Sequence, residues 1–402
     1  MIDRRLFLQG LAGTAACYVL MPGLVFAQAR TQKRLVVVIL RGGMDGLAAV
    51  VPFGDPDYAA LRGDLAIGAD ALIQLDSVFA LHQALQPLHD FYKAGEMAIV
   101  HAVASPYRER SHFDAQNVLE LGSDKPNALR TGWLNRLAQA INRNDPKLGM
   151  AIGQTLPLMI RGDQQVGSWA PSNLPEMSGD YYDFLDKIYA RDPVFSKALR
   201  EGLDVQDMSA ALFHDQSEGG DRKMARQSRG AQAFAVMAQA AGKWLAAADG
   251  PRLATLELNG WDTHAGQGAA GGKLAANFTQ LATGLQKLKE SLGPAWADTA
   301  VVAMTEFGRT ARANGNNGTD HGTGGALFLA GGAVKGGRVL GQWPGLASHQ
   351  LYQDRDLMPT TDIRSVMKGV LSDLYRLPDT TLSQQIYPGS VGVKAMRGLI
   401  RV

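Results

Sequence analysis

The run RLVVVIL at 34–40 sets six apolar residues in succession after Arg34, so a strand formed there has no polar face. Such a strand is stable only when both faces are covered, as in a parallel sheet packed between helices. The run stops at RGGMDG, a glycine-rich turn. Four more apolar runs read as strands: MAIVHAVA at 97–104, RLATLEL at 252–258, DTAVVAMTEFG at 298–308 and ALFLAGG at 326–332, the last leading to a GRVLG hairpin. Between them lie helical patterns at 133–144, 230–248, 273–292 and 362–375, and LHQALQPLHDFYKAG before residue 97. Strands alternating with long helices predict an α/β fold with a doubly wound, mostly parallel sheet. Residues 161–225 break the rhythm with Gly, Ser, Pro and charged residues, which predicts an irregular insertion or cap outside the sheet. Trp169, Tyr181 and Tyr182 could supply aromatic surface to a sugar or other ring, and a solvent-facing loop is their plainer reading. The chain has 402 residues, 46% of them hydrophobic, so 33–402 is read as one domain with a large core.

The first 29 residues read as a targeting segment. DRRLFLQG carries paired arginines, LAGTAACYVLMPGLVF is apolar but short for a membrane span, and AQA supplies small residues before Arg30. Arg4 and Arg5 followed by Phe7 and Leu8 match a twin-arginine signal, which predicts export by the twin-arginine machinery to a periplasmic or secreted location, with no stable membrane span in the mature chain. A net charge of +2 gives no reason to expect nucleic acid as a partner. Cys17, the single cysteine, lies in this segment, so the mature chain has no disulfide and no thiolate ligand. Any metal is held by His, Asp or Glu.

Ligands of open α/β sheets bind beyond the carboxyl ends of the strands. The polar clusters gather there: Asp45 after the first strand, Ser111 and His112 after the second, Asp262 and His264 after the third, and Glu306 at the end of the fourth. Asp320 and His321 precede the fifth. Each has a plain explanation. Asp45 suits a turn, Ser111 a helix cap, Asp262 and His264 a turn with backbone hydrogen bonds; His101 fits the core. Together, mixed carboxylates and imidazoles without thiolate match one or two divalent ions: zinc, manganese or magnesium. Ser111 at a helix start suits a nucleophile, because the helix end favours an anionic oxygen. Arg41 and Arg309 are candidate anion clamps, or else structural ion pairs.

LRGGMDGL, RSHFDAQ, GWDTH, TEFGRT and TDHGTGG, in this order behind a twin-arginine signal, resemble the DUF1501 family and, through it, the alkaline phosphatase and sulfatase superfamily. The resemblance implies an alkaline phosphatase-like fold. It implies metal-ligand roles for Asp45, Asp262, His264, Glu306 and His321, with Asp320 a ligand or orienter and Ser111 the nucleophile. Phe307 stands where the superfamily has a ligand histidine, and His112 is the candidate replacement. The sulfatase motif C/S-x-P-x-R finds only ASPYR at 104–108, with Ala104 at the position that must be Cys or Ser.

The expected function is an exported metal-dependent hydrolase acting on a phosphate or sulfate ester of a small molecule or glycan. The alternative is a non-catalytic binding or assembly protein on the same fold. A nucleotide-binding reading fails because RGGMDG lacks the G-x-G-x-x-G spacing.

Overall fold

A computed structural model describes residues 31–145, 147–171, 179–200, 202–203 and 232–401. The targeting segment with Cys17 and much of the 161–225 insertion lie outside the described residues.

Twelve strands are present among them: β1 Arg34–Arg41, β2 Val50–Val51, β3 Leu72–Gln74, β4 Ala80–His82, β5 Met97–Ala104, β6 Gly149–Ile152, β7 Gly167–Trp169, β8 Leu253–Asn259, β9 Thr299–Met304, β10 Gly325–Ala330, β11 Arg338–Leu340 and β12 Thr361–Asp362. The main sheet runs β11-β5-β10-β9-β1-β8-β6-β7, with β12 also on β5, while β2, β4 and β3 form a small separate sheet. β1 is parallel to both neighbours, β8 and β9. Only β10 is reversed, being antiparallel to β5 and β9. The sheet is therefore large, mixed and mostly parallel.

β1 shows why an uninterrupted apolar run was needed. Val36, Val38 and Leu40 enter one apolar cluster with residues of helices Gln86–Lys93, Ala233–Ala246 and Lys273–Leu292. Leu35, Val37 and Ile39 enter another, with Trp133, Leu134, Val366 and Val370 of helices Trp133–Asn142 and Ile363–Tyr375. All six are fully buried. Each buried Val, Leu or Ile contributes roughly 1.5–3 kcal/mol relative to exposure, so a polar residue on either face of β1 is costly.

The reversal of β10 positions the site. The carboxyl ends of β1, β5, β8 and β9 share one edge, and an antiparallel β10 starts at that same edge. Residues 319–324, which precede it, therefore meet residues that follow the other strands.

Two expectations need correction. GRVLG forms no hairpin with the preceding strand; β11 instead pairs with β5 in parallel. The 161–225 segment is not wholly outside the sheet, because β7 is its edge strand, paired with β6. Trp169 in β7 is neither solvent-facing nor open to a ligand: it is buried and meets Trp244 edge-on.

Candidate metal centre

GWDTH follows β8 as irregular chain: Gly260 has φ +97°, and the Thr263 amide donates to the Trp261 carbonyl at 3.0 Å, a tight turn centred on Asp262. Trp261 and Thr263 point inward and are buried, Trp261 donating Nε1–H to the Leu258 carbonyl and Thr263 its hydroxyl to Gln267. Asp262 and His264 are more open, and His264 Nε2 lies 3.0 Å from Asp262 Oδ1. Gly42, at φ +122°, lets the end of β1 approach this segment; a Cβ there would lie 2.5 Å from the Asp262 nitrogen.

Three imidazoles surround Asp262. His264 Nδ1 is 3.0 Å from Asp320 Oδ1, His112 Nδ1 is 2.8 Å from Glu306 Oε1, and His321 Nδ1 is 2.9 Å from the Arg110 carbonyl. Ionised carboxylates and carbonyls only accept, so each Nδ1 carries the proton and each neutral ring presents an Nε2 lone pair. Those lone pairs face other acceptors. His264 Nε2 and His321 Nε2 are 2.9 Å apart, and Asp262 Oδ1 lies 3.3 Å from His321 Nε2 and 3.5 Å from His112 Nε2. His112 Nε2 is buried without a hydrogen-bond partner.

Acceptors facing acceptors repel unless a cation stands between them. Tetrahedral zinc ligands at 2.0–2.1 Å are roughly 3.3 Å apart, and the Asp262 contacts bracket that value. One atom each from His112, Asp262 and His321 lie within 4.8 Å of one another. This donor set of two imidazoles and a carboxylate, with an orphaned nitrogen, fits a divalent ion; His264 adjoins it through Asp262 and His321.

The surroundings fix the electrostatics. Burial raises the Asp262 carboxyl, but the Arg309 guanidinium 2.7 Å away outweighs it and holds the group below its ordinary value. Burial likewise opposes Glu306, whose bonds from His112, Gln116 and the Gly42 amide still bring it down. The hydrogen bond to Glu306 pushes His112 up, whereas burial pushes His321 down. A bond from Asn314 lowers Asp320.

Several expected ligands stand elsewhere. Asp45 is buried: its Oδ1 accepts the Leu47 and Ala48 amides, and its Oδ2 takes Arg62 at 2.6 Å and Gln267 at 2.7 Å. It caps the turn after β1 and stays out of the histidine cluster. Glu306 orients His112 from behind, and Asp320 does the same for His264. Neither arginine is a free anion clamp. Arg309 is buried and directs Nη1 at Asp262 (2.7 Å) and the Gly42 carbonyl. Arg41 pairs with Glu257 and with Glu120 at 2.9 Å. Phe307, in the place of an expected histidine, packs its ring 4.7 Å from His112 and 5.0 Å from His321. Ser111 precedes helix His112–Leu121 but makes no side-chain cap bond.

The chain matches the family described as protein of unknown function (DUF1501) over residues 98–386, well over half its length. It belongs to the DUF1501 family. Solved structures similar to this DUF1501 protein include the C-terminal periplasmic domain of EcEptC from Escherichia coli in complex with Zn. That likeness has 10% identity and a TM-score of 0.37, covering 76% of this chain and 75% of that one. Another is the phosphonate monoester hydrolase of Agrobacterium radiobacter, at 10% identity and a TM-score of 0.35, covering 86% and 74%. Likeness at this level assigns no residue a role. No curated protein matches the sequence.

The sequence reading missed Arg110 and Gln116 of this DUF1501 protein. Arg110 has φ +61°, rare for a side chain of its size, and in that conformation its carbonyl receives His321. Its guanidinium is anchored to buried Asp356 at 2.8 Å. Gln116 donates to Glu306 Oε1 at 2.9 Å. The one signal available was helical spacing: Gln116 lies four residues after His112, on the same face.

Proposed function

We propose that this DUF1501 protein is an exported metal-dependent hydrolase of phosphate or sulfate esters, with an alkaline phosphatase-like, doubly wound α/β fold. The carrying observation is the set of Nε2 lone pairs gathered on Asp262, with the buried, unpartnered His112 Nε2 among them. His112, Asp262 and His321 would hold the ion, and His264 would complete or extend the set. When bound, the ion would polarise an ester oxygen and offset charge developing on it. Glu306, Asp320 and the Arg110 carbonyl keep the imidazoles in the ligating tautomer, and Arg309 keeps Asp262 ionised and aimed. Ser111, one residue before His112, would attack the phosphorus or sulfur, its Oγ bond forming as the bond to the ester oxygen breaks and the alcohol leaves; water would then release the inorganic anion, with the first amides of the helix favouring the anionic group. The twin-arginine signal supports export to the periplasm or beyond.

A second reading keeps the fold and the ion but drops catalysis. It is favoured by the pairing of both arginines within the protein. Metal analysis comes first: purified protein is expected to carry about one equivalent of zinc, manganese or magnesium, lost in His112→Ala combined with Asp262→Ala. Less than about a tenth of an equivalent, unchanged in that variant, sinks the metal. Glu306→Gln, which keeps shape but weakens the hold on His112, should lower metal affinity roughly 10- to 100-fold. The metal-loaded protein is then assayed on aryl phosphates, phosphodiesters and aryl sulfates. Turnover abolished by Ser111→Ala with the metal retained supports the hydrolase; no turnover on any of them favours the binding protein.

A further inference from the structure

Helix His112–Leu121 carries His112, Gln116 and Glu120 four residues apart, hence along one face. His112 belongs to the candidate metal centre. Gln116 donates to Glu306 and accepts from Arg41 Nη1 at 2.9 Å, and Glu120 pairs with Arg41. Arg41, Gln116 and Glu120 also line a cavity of about 960 Å³. Arg41 ends β1, Asn259 ends β8 and Gly153 follows β6, so this cavity opens on the same sheet edge as the centre, alongside it. A single helix face therefore leads from the ion ligands into the cavity.

The lining describes its occupant. The volume is at the upper end of the range for small-molecule sites, about 300–1,000 Å³, and has room for several linked rings. Among the described residues lining it, four are charged and they cancel: Arg41 and Arg161 against Glu120 and Glu257. Arg41 is already paired with both glutamates, and Arg161 donates to the Leu156 carbonyl, so an anion meets one exposed guanidinium and no second one to clamp it. The exposed amide of Gln154, with Asn259 and Gln280, offers both donors and acceptors, as hydroxyl groups require. A purely apolar ligand would leave those amides unpaired. Leu156 and Met237 add apolar surface suited to the C–H faces of a sugar ring.

The geometry points to this cavity as the binding subsite for a neutral oligosaccharide, the organic part of the ester presented to the centre. Its place in a substrate rests on the hydrolase reading; the binding itself does not. The test is calorimetric titration of the full chain, zinc-loaded and metal-stripped, with maltotriose, cellotriose and chitotriose, and with citrate and decanoate as charged and apolar probes. At least one trisaccharide is expected to bind, with a Kd that changes less than about twofold on metal removal or in His112→Ala. Asn259→Ala, which removes an amide, and Thr155→Trp, which fills space from an exposed loop position, should each weaken it about tenfold or more while metal content is retained. The proposal is overturned if no trisaccharide binds, if citrate or decanoate binds in preference, or if trisaccharide binding survives both variants. Sugar binding in a protein that holds no metal and turns over no ester removes the hydrolase reading and leaves the subsite standing.

Discussion

His101 and Asp262 show how far single residues can be read. His101 interrupts an apolar strand and is fully buried, with Nε2 2.9 Å from the Val50 carbonyl and Nδ1 accepting the Ala102 amide at 2.8 Å. Only the neutral ring satisfies both partners, and burial drives its pKa down to about 4. The unfolded chain binds this proton below about 6.5 while the folded protein does not. Stability should therefore fall as pH drops from about 6.5 to about 4, by roughly 3 kcal/mol from this residue. Urea unfolding across that window should show a flatter slope in His101→Gln; an equal slope removes the assignment. Asp262 and His264 stood out in the sequence as an acid and an imidazole two residues apart at a strand end, whereas Arg309 and Asp320, which engage them, lie far along the chain. For Asp45, Arg41 and Arg309 the sequence left a ligand role and a structural role side by side, because what engages them comes from afar: Gln267, Glu257 and Asp262 respectively. Charge is visible in a sequence, whereas whether it is already neutralised is a matter of tertiary contact.

Elements were legible in proportion to their length. The expected strand at 97–104 and helix at 273–292 are reproduced in full, since eight or more residues establish a period. β6, β7 and the small sheet, each of two to four residues, were missed. β5 also contains a break that no propensity predicts. Ala102 has φ +52°, and the pairing of β5 with β10 shifts register there, His101 facing Ala326 and Val103 facing Gly325. Such a bulge bends the strand just before the loop that carries Ser111. Valine is ordinarily the better strand residue. At a buried left-handed position its branched side chain clashes, so Ala102→Val should destabilise by roughly 2 kcal/mol or more. An unchanged or raised urea midpoint would contradict the bulge.

At the scale of the whole molecule, alternating strands and helices were enough to foresee a mixed α/β architecture, but not the direction of each strand. An apolar run reads alike either way, so the reversal of β10 was hidden. No helix among the described residues is long and apolar enough to cross a membrane. Gln32–Val402 forms one compact unit. Replacing Arg4 and Arg5 by lysine is expected to leave the protein in the cytoplasmic fraction, with the folded part unaltered in melting temperature. Periplasmic recovery equal to the unmodified protein would remove the twin-arginine assignment.

The antiparallel β10 has a consequence for the site. Because β9 and β10 are neighbours, the connection between them leaves and re-enters the sheet at adjacent points, closed at its base by Gly308 and Thr323. Arg309, Asp320 and His321 all lie on that one hairpin, with Glu306 and Phe307 at its root. Loss of that one connection would remove His321 and the Asp320 that orients His264 together, while His112 and Asp262 would remain on other elements.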